Sequence, residues 1–382
     1  MLESMKSILF IGKYPPIEGG ETTKIYWLLK ALGEKGFKIY VNTNALEVED
    51  EYRVMLTGED LPYLQPKNVI LYNTNPLNYV KFIPWFNPFT EKLINRGIEI
   101  IKENKIDLII GWYLLPYGFV AHYLSMLFDL PYLVVHAGSD LDRIFPNYEY
   151  HLLFTEVLRK AKYIVTSGNM DRWFLRLGFN NAISINPEID TRVYSPSVPP
   201  MKLSGLAGSK LLLFLGKIGK GKGLRYLLDS LRYVKYSDYK LVITSNKRYN
   251  FRPKEKIEYI PLVPCWKVPS LMNASHLIIS PETGFSVKTH FSRIPVEAMC
   301  CGRPVIISKE LASKPTYHFL EDNYNCIIVD PKNPKELGEA ITRILEDEKF
   351  AQELGKNARK TCEKIFNFER YVKKWEELIN RI

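Results

Sequence analysis

The chain has 382 residues, of which 46% are hydrophobic and 25% are charged. This composition is that of an ordinary soluble globular protein, and the length exceeds what one core usually supports, so two domains are predicted. The net charge is +10, and the positive charge lies in the second half. Residues 1–200 carry 20 Lys and Arg against 22 Asp and Glu. Residues 201–382 carry 32 Lys and Arg against 20 Asp and Glu. A basic half is typical of proteins that bind nucleic acid, acidic lipid headgroups or a small polyphosphate. No helix-turn-helix, zinc or RNA-recognition motif is present, so nucleic acid is not a predicted partner.

The sequence predicts a cytoplasmic protein. Its five cysteines show neither a paired framework nor metal-ligand spacing, which favours a reducing compartment. An apolar strand, Ser7–Ile11, begins almost at once, so no signal peptide is predicted. The most apolar window, Trp112–Val135, is interrupted by prolines and polar residues and is interpreted as a buried helix and strand. Scarce glutamine beside abundant Lys and Glu favours a thermophilic source.

The first half alternates apolar strands with helices, which is typical of a parallel sheet covered on both faces. A helix is predicted from Thr22 to Lys35, because its leucines and Ile25 recur at helical spacing. Strands are predicted at Ser7–Ile11, Phe37–Asn42, Ile106–Ile110, Tyr132–Val135, Lys162–Ser167 and Ala182–Asn186.

Two glycines, Gly19 and Gly20, lie in the loop between the first strand and the first helix. Glycine there lets the backbone approach a ligand without an intervening side chain. The alternative is that the loop needs glycine only to turn.

His136 directly follows the strand Tyr132–Val135. Catalytic residues in open parallel sheets collect at the carboxyl ends of strands, so His136 is placed to hydrogen-bond a ligand at that edge. A packed core histidine is the alternative.

Asp140-Leu141-Asp142 follows His136 and resembles a minimal carboxylate metal site. Three-residue patterns arise often by chance, and no metal is predicted here.

Residues 74–90 contain three prolines, five aromatic residues and one lysine. Aromatic residues with flanking cations favour a lipid headgroup region. The segment is interpreted either as an irregular loop packed on its domain or as an acceptor-binding or membrane-touching surface. The prediction therefore includes peripheral contact with the inner face of a membrane.

A second domain begins after the proline-rich run Pro196–Pro200. Its first strand, Lys210–Leu215, leads into GKIGKGKGLRYLLDSL. Glycines interspersed with lysines before an amphipathic helix form a phosphate cradle, in which Lys217 and Lys222 supply the charge. It is not a P-loop, because no Ser or Thr follows a Gly-Lys pair at the required place. A solvated basic turn is the alternative.

A second anion site is predicted in the stretch 282–308, which reads as a loop, a short helix and a strand. Helix N-termini carry unpaired N–H groups and a partial positive charge, and this one follows Lys288 and Arg293. Glu297, in the second turn, is not suited to hold an anion and is assigned to sugar hydroxyls beside the phosphates. The stretch therefore predicts a nucleotide with its ribose, the alternative for Glu297 being a solvated helix position.

The segment PVEAMCCGRPVII resembles the core motif of the retaining family 4 glycosyltransferases, in which two glutamates separated by seven residues precede A-M-A-C-G-x-P-V-I. Gly216, Lys217, Lys222 and Gly223 match that family's G-R-x-x-x-x-K-G, with lysine for arginine. The resemblance implies the GT-B fold, with two Rossmann-like domains facing a cleft. We expect an acceptor-binding domain at 1–198, a nucleotide-sugar domain at 199–365, and a terminal helix, 366–382, crossing back to the first.

The resemblance also implies roles for individual residues. The Gly-Gly pair faces the donor phosphates, His136 contacts the donor sugar, and Glu297 binds the donor ribose. The family's first glutamate, which contacts the sugar near the reacting centre, falls on Thr289. We expect Glu282 to return to the site from the longer preceding loop and replace it; His290 or a weakened site are the alternatives.

The implied activity is transfer of a sugar from a nucleotide-diphosphate-sugar to a hydroxyl acceptor, with retention of configuration and without a metal or other cofactor. The acceptor is a glycan, a lipid-linked molecule or a small molecule. The alternatives are a catalytically impaired homologue acting as a binding subunit, a GT-B sugar-nucleotide epimerase, and a non-enzymatic membrane-surface protein.

Overall fold

A computed structural model of the chain describes residues 6–76, 89–137, 140, 148–206, 208–216, 218–249, 251, 254–284 and 291–382. These residues form two sheets of parallel strands. The first has the order β3-β2-β1-β4-β5-β6-β7 and contains β1 Ser7–Ile11, β2 Lys38–Thr43, β3 Val69–Asn73, β4 Leu108–Trp112, β5 Tyr132–Val135, β6 Tyr163–Thr166 and β7 Ala182–Ser184. The second has the order β10-β9-β8-β11-β12-β13 and contains β8 Lys210–Phe214, β9 Tyr239–Thr244, β10 Ile257–Ile260, β11 Leu277–Ser280, β12 Val305–Ser308 and β13 Ile327–Val329. The predicted α/β class is confirmed.

Helices connect the strands and cover both sheets. Those of the first domain are α1 Gly20–Glu34, α2 Leu61–Leu64, α3 Phe89–Glu103, α4 Phe119–Phe128, α5 His151–Lys160 and α6 Met170–Arg176. Those that follow are α7 Leu224–Ser230, α8 Val268–Ala274, α9 Arg293–Cys300, α10 Lys309–Ala312, α11 Pro334–Glu346, α12 Glu348–Ile365 and α13 Phe368–Asn380. No helix of the described ranges is both long and apolar enough to cross a bilayer.

The central strands are continuous apolar runs because both of their faces are buried. In β1, Ile8 and Phe10 pack with α1 and α13 on one face of the sheet. Leu9 and Ile11 pack with the helices α3 to α6 on the other face. Polar side chains that follow such strands therefore come together at one edge, the carboxyl edge, of each sheet.

The last helix, α13, packs on the first domain although it ends the chain. Its apolar face, which includes Tyr371 and Trp375, belongs to the same core as β1 and α1. The Trp375 ring stacks on Trp112 with 5.6 Å between centroids. Lys35 pairs with Glu376 at 2.8 Å. This helix gives the two domains a second chain connection.

A segment of the first domain also contacts the second domain directly. The Asn246 side chain donates to the carbonyl oxygens of Asp50 and Arg53, both at 2.6 Å. The buried Asp60 carboxylate accepts hydrogen bonds from Lys267 Nζ at 2.6 Å and Trp266 Nε1 at 2.8 Å. These bonds hold the pKa of Asp60 at about 2, although burial alone would raise it. The contacts bring the carboxyl edges of both sheets to one cleft.

Candidate active site

The glycine-rich loop after β8 packs closely against the segment that follows β11. Gly223 has φ +71°, and a Cβ on it would lie 1.9 Å from the Pro281 carbonyl oxygen, so only glycine fits there. The Thr283 N–H donates to the Gly221 carbonyl at 3.0 Å. Lys222 lies in a 3-10 turn of this loop. The close packing therefore fixes Lys222 next to the residues after β11. Lys217 lies outside the described residues.

Glu282 is the partner of Lys222. Its Oε1 accepts hydrogen bonds from Lys222 Nζ at 2.7 Å and from Ser292 Oγ at 2.6 Å. The side chain is 2% exposed. Ser292 is the residue that precedes α9, so one carboxylate oxygen joins the lysine of the glycine-rich loop to the start of this helix. A negatively charged group thus lies where Lys222 and the α9 N-terminus converge. Thr289 and His290 lie outside the described residues.

Arg293 and Glu297 form a buried ion pair on α9. The Arg293 Nε donates to Glu297 Oε1 at 2.8 Å, and the side chains are 9% and 5% exposed. Burial would lower the pKa of Arg293, but the adjacent Glu297 charge raises it overall. The first domain reaches this pair through Gly20, where a Cβ would lie 3.6 Å from Arg293 Cδ. Gly19, with φ +137°, precedes α1 and turns the chain into this contact.

His136 follows β5 and has one unpaired ring nitrogen. Its Nδ1 lies 3.2 Å from Thr166 Oγ1. Its Nε2 is buried and has no hydrogen-bond partner among the residues that the structure describes. Burial lowers the pKa of His136 to about 4, against an opposing effect of Glu21. The ring is therefore neutral at physiological pH and can offer Nε2 to a ligand.

Glu21 is a cleft residue that the sequence analysis missed. It accepts hydrogen bonds from Lys24 Nζ at 2.7 Å and Trp112 Nε1 at 3.1 Å. Burial would raise its pKa, but these partners and the charge of Arg293 keep the pKa below its ordinary value. Its charge in turn acts on His136. The signal available in the sequence was its position directly after the Gly-Gly pair.

Asp140 lies at the carboxyl edge of the same sheet, and its carboxylate is bonded by backbone groups of its own domain. Its Oδ2 accepts from the backbone N–H groups of Leu114 and Ala137, each at 3.2 Å. Burial raises its pKa to about 7 despite these bonds. Asp142 lies outside the described residues. Within the described ranges, no group of three or more His, Cys, Asp or Glu side chains is arranged to hold a metal ion.

The structure thus brings the described site candidates into one cleft, although they come from distant parts of the chain. Lys222 and Glu282 meet at the start of α9, and Arg293 and Glu297 lie on that helix. Gly20 touches Arg293 from the other domain. The second-domain side of this cleft carries Lys222 and Arg293, each paired with a carboxylate, and the first-domain side carries a neutral histidine.

The chain is similar to known glycosyltransferases, both by a family model and by whole-length relatives. Residues 203–361 match the model for glycosyl transferases group 1. The chain is 26% identical to an uncharacterized glycosyltransferase, MJ1178, of Methanocaldococcus jannaschii, over 97% of this chain and 98% of that protein. A second M. jannaschii glycosyltransferase, MJ1607, is 22% identical over 97% of this chain and 96% of its own length.

Solved structures share the fold over nearly the whole chain. Sucrose-phosphate synthase from Thermosynechococcus elongatus superposes with a TM-score of 0.68 at 18% identity, covering 98% of each chain. HepE from Anabaena, solved in complex with UDP and glucose, gives a TM-score of 0.66 at 16% identity, covering 99% of this chain and all of HepE.

Proposed function

We propose that this chain, which belongs to the group 1 glycosyl transferases and has the GT-B fold, transfers a sugar from a nucleotide-diphosphate donor to a hydroxyl acceptor with retention of configuration. The observation that carries the proposal is the convergence of Lys222 and the start of α9 on a single carboxylate, Glu282. A lysine and the Ser292 hydroxyl hold this carboxylate at the start of a helix, and such a place is also suited to a phosphate.

The donor diphosphate is assigned to this anion site. Lys217 and Lys222 supply charge from the glycine-rich loop, and the α9 N-terminus supplies backbone N–H groups and a partial positive charge. In the free protein, Lys222 is paired with Glu282. The diphosphate therefore has to compete with this carboxylate for the lysine. HepE, which shares the fold, has also been solved with UDP-glucose, which supports a UDP-sugar as the first donor to test.

The chemistry requires stabilisation of the leaving diphosphate. Negative charge develops on the diphosphate as the glycosidic bond breaks, and fixed positive groups aimed at it usually supply the largest share of rate enhancement. Lys222 and the α9 N-terminus provide this stabilisation, Arg293 adds a buried positive charge beside them, and Glu297 is assigned to the ribose. The acceptor oxygen bonds to the anomeric carbon on the same face that the diphosphate leaves, which retains the configuration. The leaving phosphate oxygen accepts the acceptor's hydroxyl proton, so no separate protein base is needed.

Sugar transfer is expected to survive excess chelator. The lysines and the helix N-terminus already neutralise the diphosphate, so a divalent ion has no charge left to compensate. The rate of UDP release in the presence of acceptor is compared with and without EDTA. If transfer stops with EDTA and returns with Mg²⁺ or Mn²⁺, the metal-independent mechanism is wrong.

His136→Ala is expected to lower kcat about tenfold while the Kd for UDP stays close to that of the parent. The neutral ring has an Nε2 that no described residue bonds, and this nitrogen is assigned to the donor sugar. Losing a neutral hydrogen bond of about 1.4 kcal/mol corresponds to that factor. Turnover is measured beside calorimetric UDP binding and the thermal unfolding midpoint. His122→Ala is the matched control, because this buried histidine bonds Tyr132 within the first domain at 3.0 Å. If the two variants lose activity in proportion to stability, His136 has only a packing role.

The alternatives predict different products. A binding subunit would bind UDP or UDP-sugar and release no sugar from it, with or without acceptor. A sugar-nucleotide epimerase would convert the donor sugar in the absence of any acceptor. A membrane-surface protein would bind anionic vesicles and no nucleotide. Product analysis with donor alone, followed by donor plus acceptor, separates transferase from epimerase. Where no product forms, UDP binding and vesicle binding separate the binding subunit from the membrane-surface protein.

A further inference from the structure

A cavity of about 280 Å³ opens at the carboxyl edge of the first sheet. Lys13 follows β1, Asn44 follows β2, and Tyr117 follows β4, so three neighbouring strands supply its base. The remaining lining residues come from the β1–α1 loop and from the segment after β2. Among the described residues, the lining consists of Lys13, Ile17, Glu18, Asn44, Glu47, Val48, Tyr52 and Tyr117.

Backbone pairing holds one wall of this cavity. Ile17 forms an antiparallel bridge with Arg53, and the Glu18 N–H donates to the Tyr52 carbonyl at 2.8 Å. The same segment is bonded to the second domain, since Asn246 donates to the Arg53 carbonyl. Bonds within the first domain therefore hold the wall that carries Glu18 and Tyr52, and the bond from Asn246 ties the same segment to the second domain.

The cavity adjoins the donor loop. Glu18, which lines the cavity, has its Oε1 4.0 Å from the position of a Cβ on Gly216. Gly216 begins the glycine-rich loop of the second domain. A molecule in the cavity therefore lies beside the loop that is assigned to the donor diphosphate.

The lining is suited to hydroxyl groups and not to an acyl chain or a phosphate. In the part of the chain that the structure describes, its polar groups are carboxylates, an amide, tyrosine hydroxyls and one lysine, and only Ile17 and Val48 are aliphatic. The Tyr117 hydroxyl donates to Asn44 Oδ1 at 2.8 Å, which orients the amide. Glu47 pairs with Lys92, which neutralises its charge. Lys13 faces the Tyr113 ring, 4.6 Å from its centroid.

We propose that this cavity binds the acceptor and that the acceptor is an uncharged polyhydroxylated ring, a sugar or a cyclitol. The inference rests on the proposed sugar transfer and specifies its second substrate. Ring hydroxyls donate to Glu18 and to the polar lining, and the ring's C–H face packs on the tyrosines. A phosphorylated acceptor would find no surplus of positive charge among the described lining residues, because Glu47 is paired with Lys92 and the Glu18 carboxylate offsets Lys13.

Binding is tested directly by saturation-transfer NMR, with and without UDP. The probes are methyl α-glucoside, methyl α-mannoside and myo-inositol as uncharged rings, glucose 6-phosphate as an anionic ring, and dodecyl phosphate as a lipid phosphate. We expect saturation of the uncharged rings alone. Glu18→Gln should weaken their binding about tenfold, since a hydrogen bond to a charged group is lost. Glu49→Gln, an exposed acid of the neighbouring segment, should change nothing.

The outcomes separate this inference from the proposed function. Calorimetry with UDP tests the donor site, so failure of UDP to bind counts against the proposed function, while the NMR without UDP still reports on the cavity. Binding of glucose 6-phosphate or dodecyl phosphate in preference to uncharged rings overturns the inference, most clearly if Lys13→Gln abolishes it. Absence of binding by every ring, or ring binding that Glu18→Gln leaves unchanged, overturns it as well.

Discussion

Glu282→Gln is expected to lower sugar transfer at least ~100-fold, the loss typical of a group that stabilises transition-state charge, with UDP binding no weaker than in the parent. Glu282 is the expected replacement for the family's first glutamate, whose place Thr289 takes. Glutamine keeps an oxygen to accept the Ser292 hydrogen bond but has no charge to stabilise positive charge on the reacting sugar. Because Lys222 also loses its carboxylate partner, it becomes more available to the diphosphate. Turnover and calorimetric UDP affinity are measured on the same preparations.

Two further variants serve as controls for Glu282→Gln. Glu255→Gln changes an exposed acid of the second domain and should behave as the parent. Glu282→Asp keeps the charge and should retain part of the activity. Transfer by Glu282→Gln at the parent rate would reject the compensation by Glu282, and Thr289 and His290 would be tested next. A changed UDP affinity with unchanged kcat would instead assign Glu282 to positioning Lys222.

Strands buried on both faces were predictable from sequence to within a residue or two. The predictions for Ser7–Ile11 and for Tyr132–Val135 match the structure at both ends. Each is an apolar run bounded by polar residues, glycine or proline, so the buried segment can be recognised in the sequence. The two-sheet α/β fold follows from the repetition of such runs, and the whole-length superposition on solved GT-B proteins confirms it.

Elements with only one buried side were harder to predict. The strand β3, Val69–Asn73, was not predicted; it is an edge strand in which only Val69 is buried. The helix α12, Glu348–Ile365, was not predicted either, and its residues are mostly polar with few buried positions. The first helix begins at Gly20 and not at Thr22, because the left-handed φ of Gly19 turns the chain directly into it.

Apart from Glu21 and Ser292, the residues of the site were identified from the sequence, but the contact between Lys222 and Glu282 was not. The i,i+4 spacing of Arg293 and Glu297 places them on one helix face, where an ion pair is expected. The bond between Lys222 and Glu282 joins two loops 60 residues apart, and only the packing of Gly223 against Pro281 creates it. Local periodicity carries no information on such contacts.

Lys222→Ala is expected to raise the Kd for UDP ten- to a hundredfold. The ammonium group makes a charge-assisted contact with the diphosphate worth ~1.5–3 kcal/mol, and its loss corresponds to that range. The variant also leaves the Glu282 carboxylate buried without its cation, so a lower thermal unfolding midpoint is expected together with the weaker binding. Calorimetry with UDP and thermal unfolding are therefore measured side by side.

A double variant, Lys222→Ala with Glu282→Gln, separates the loss of affinity from the loss of stability. Neither charge remains, so the unfolding midpoint should recover toward the parent, while the loss of UDP affinity should persist because the lysine is still absent. Lys222→Arg should keep most of the affinity, since the charge is retained. Lys254→Ala, at an exposed position of the same domain, should leave UDP binding unchanged. If UDP binds Lys222→Ala as tightly as the parent, or if affinity returns in the double variant, Lys222 does not bind the diphosphate and its only role is to neutralise Glu282.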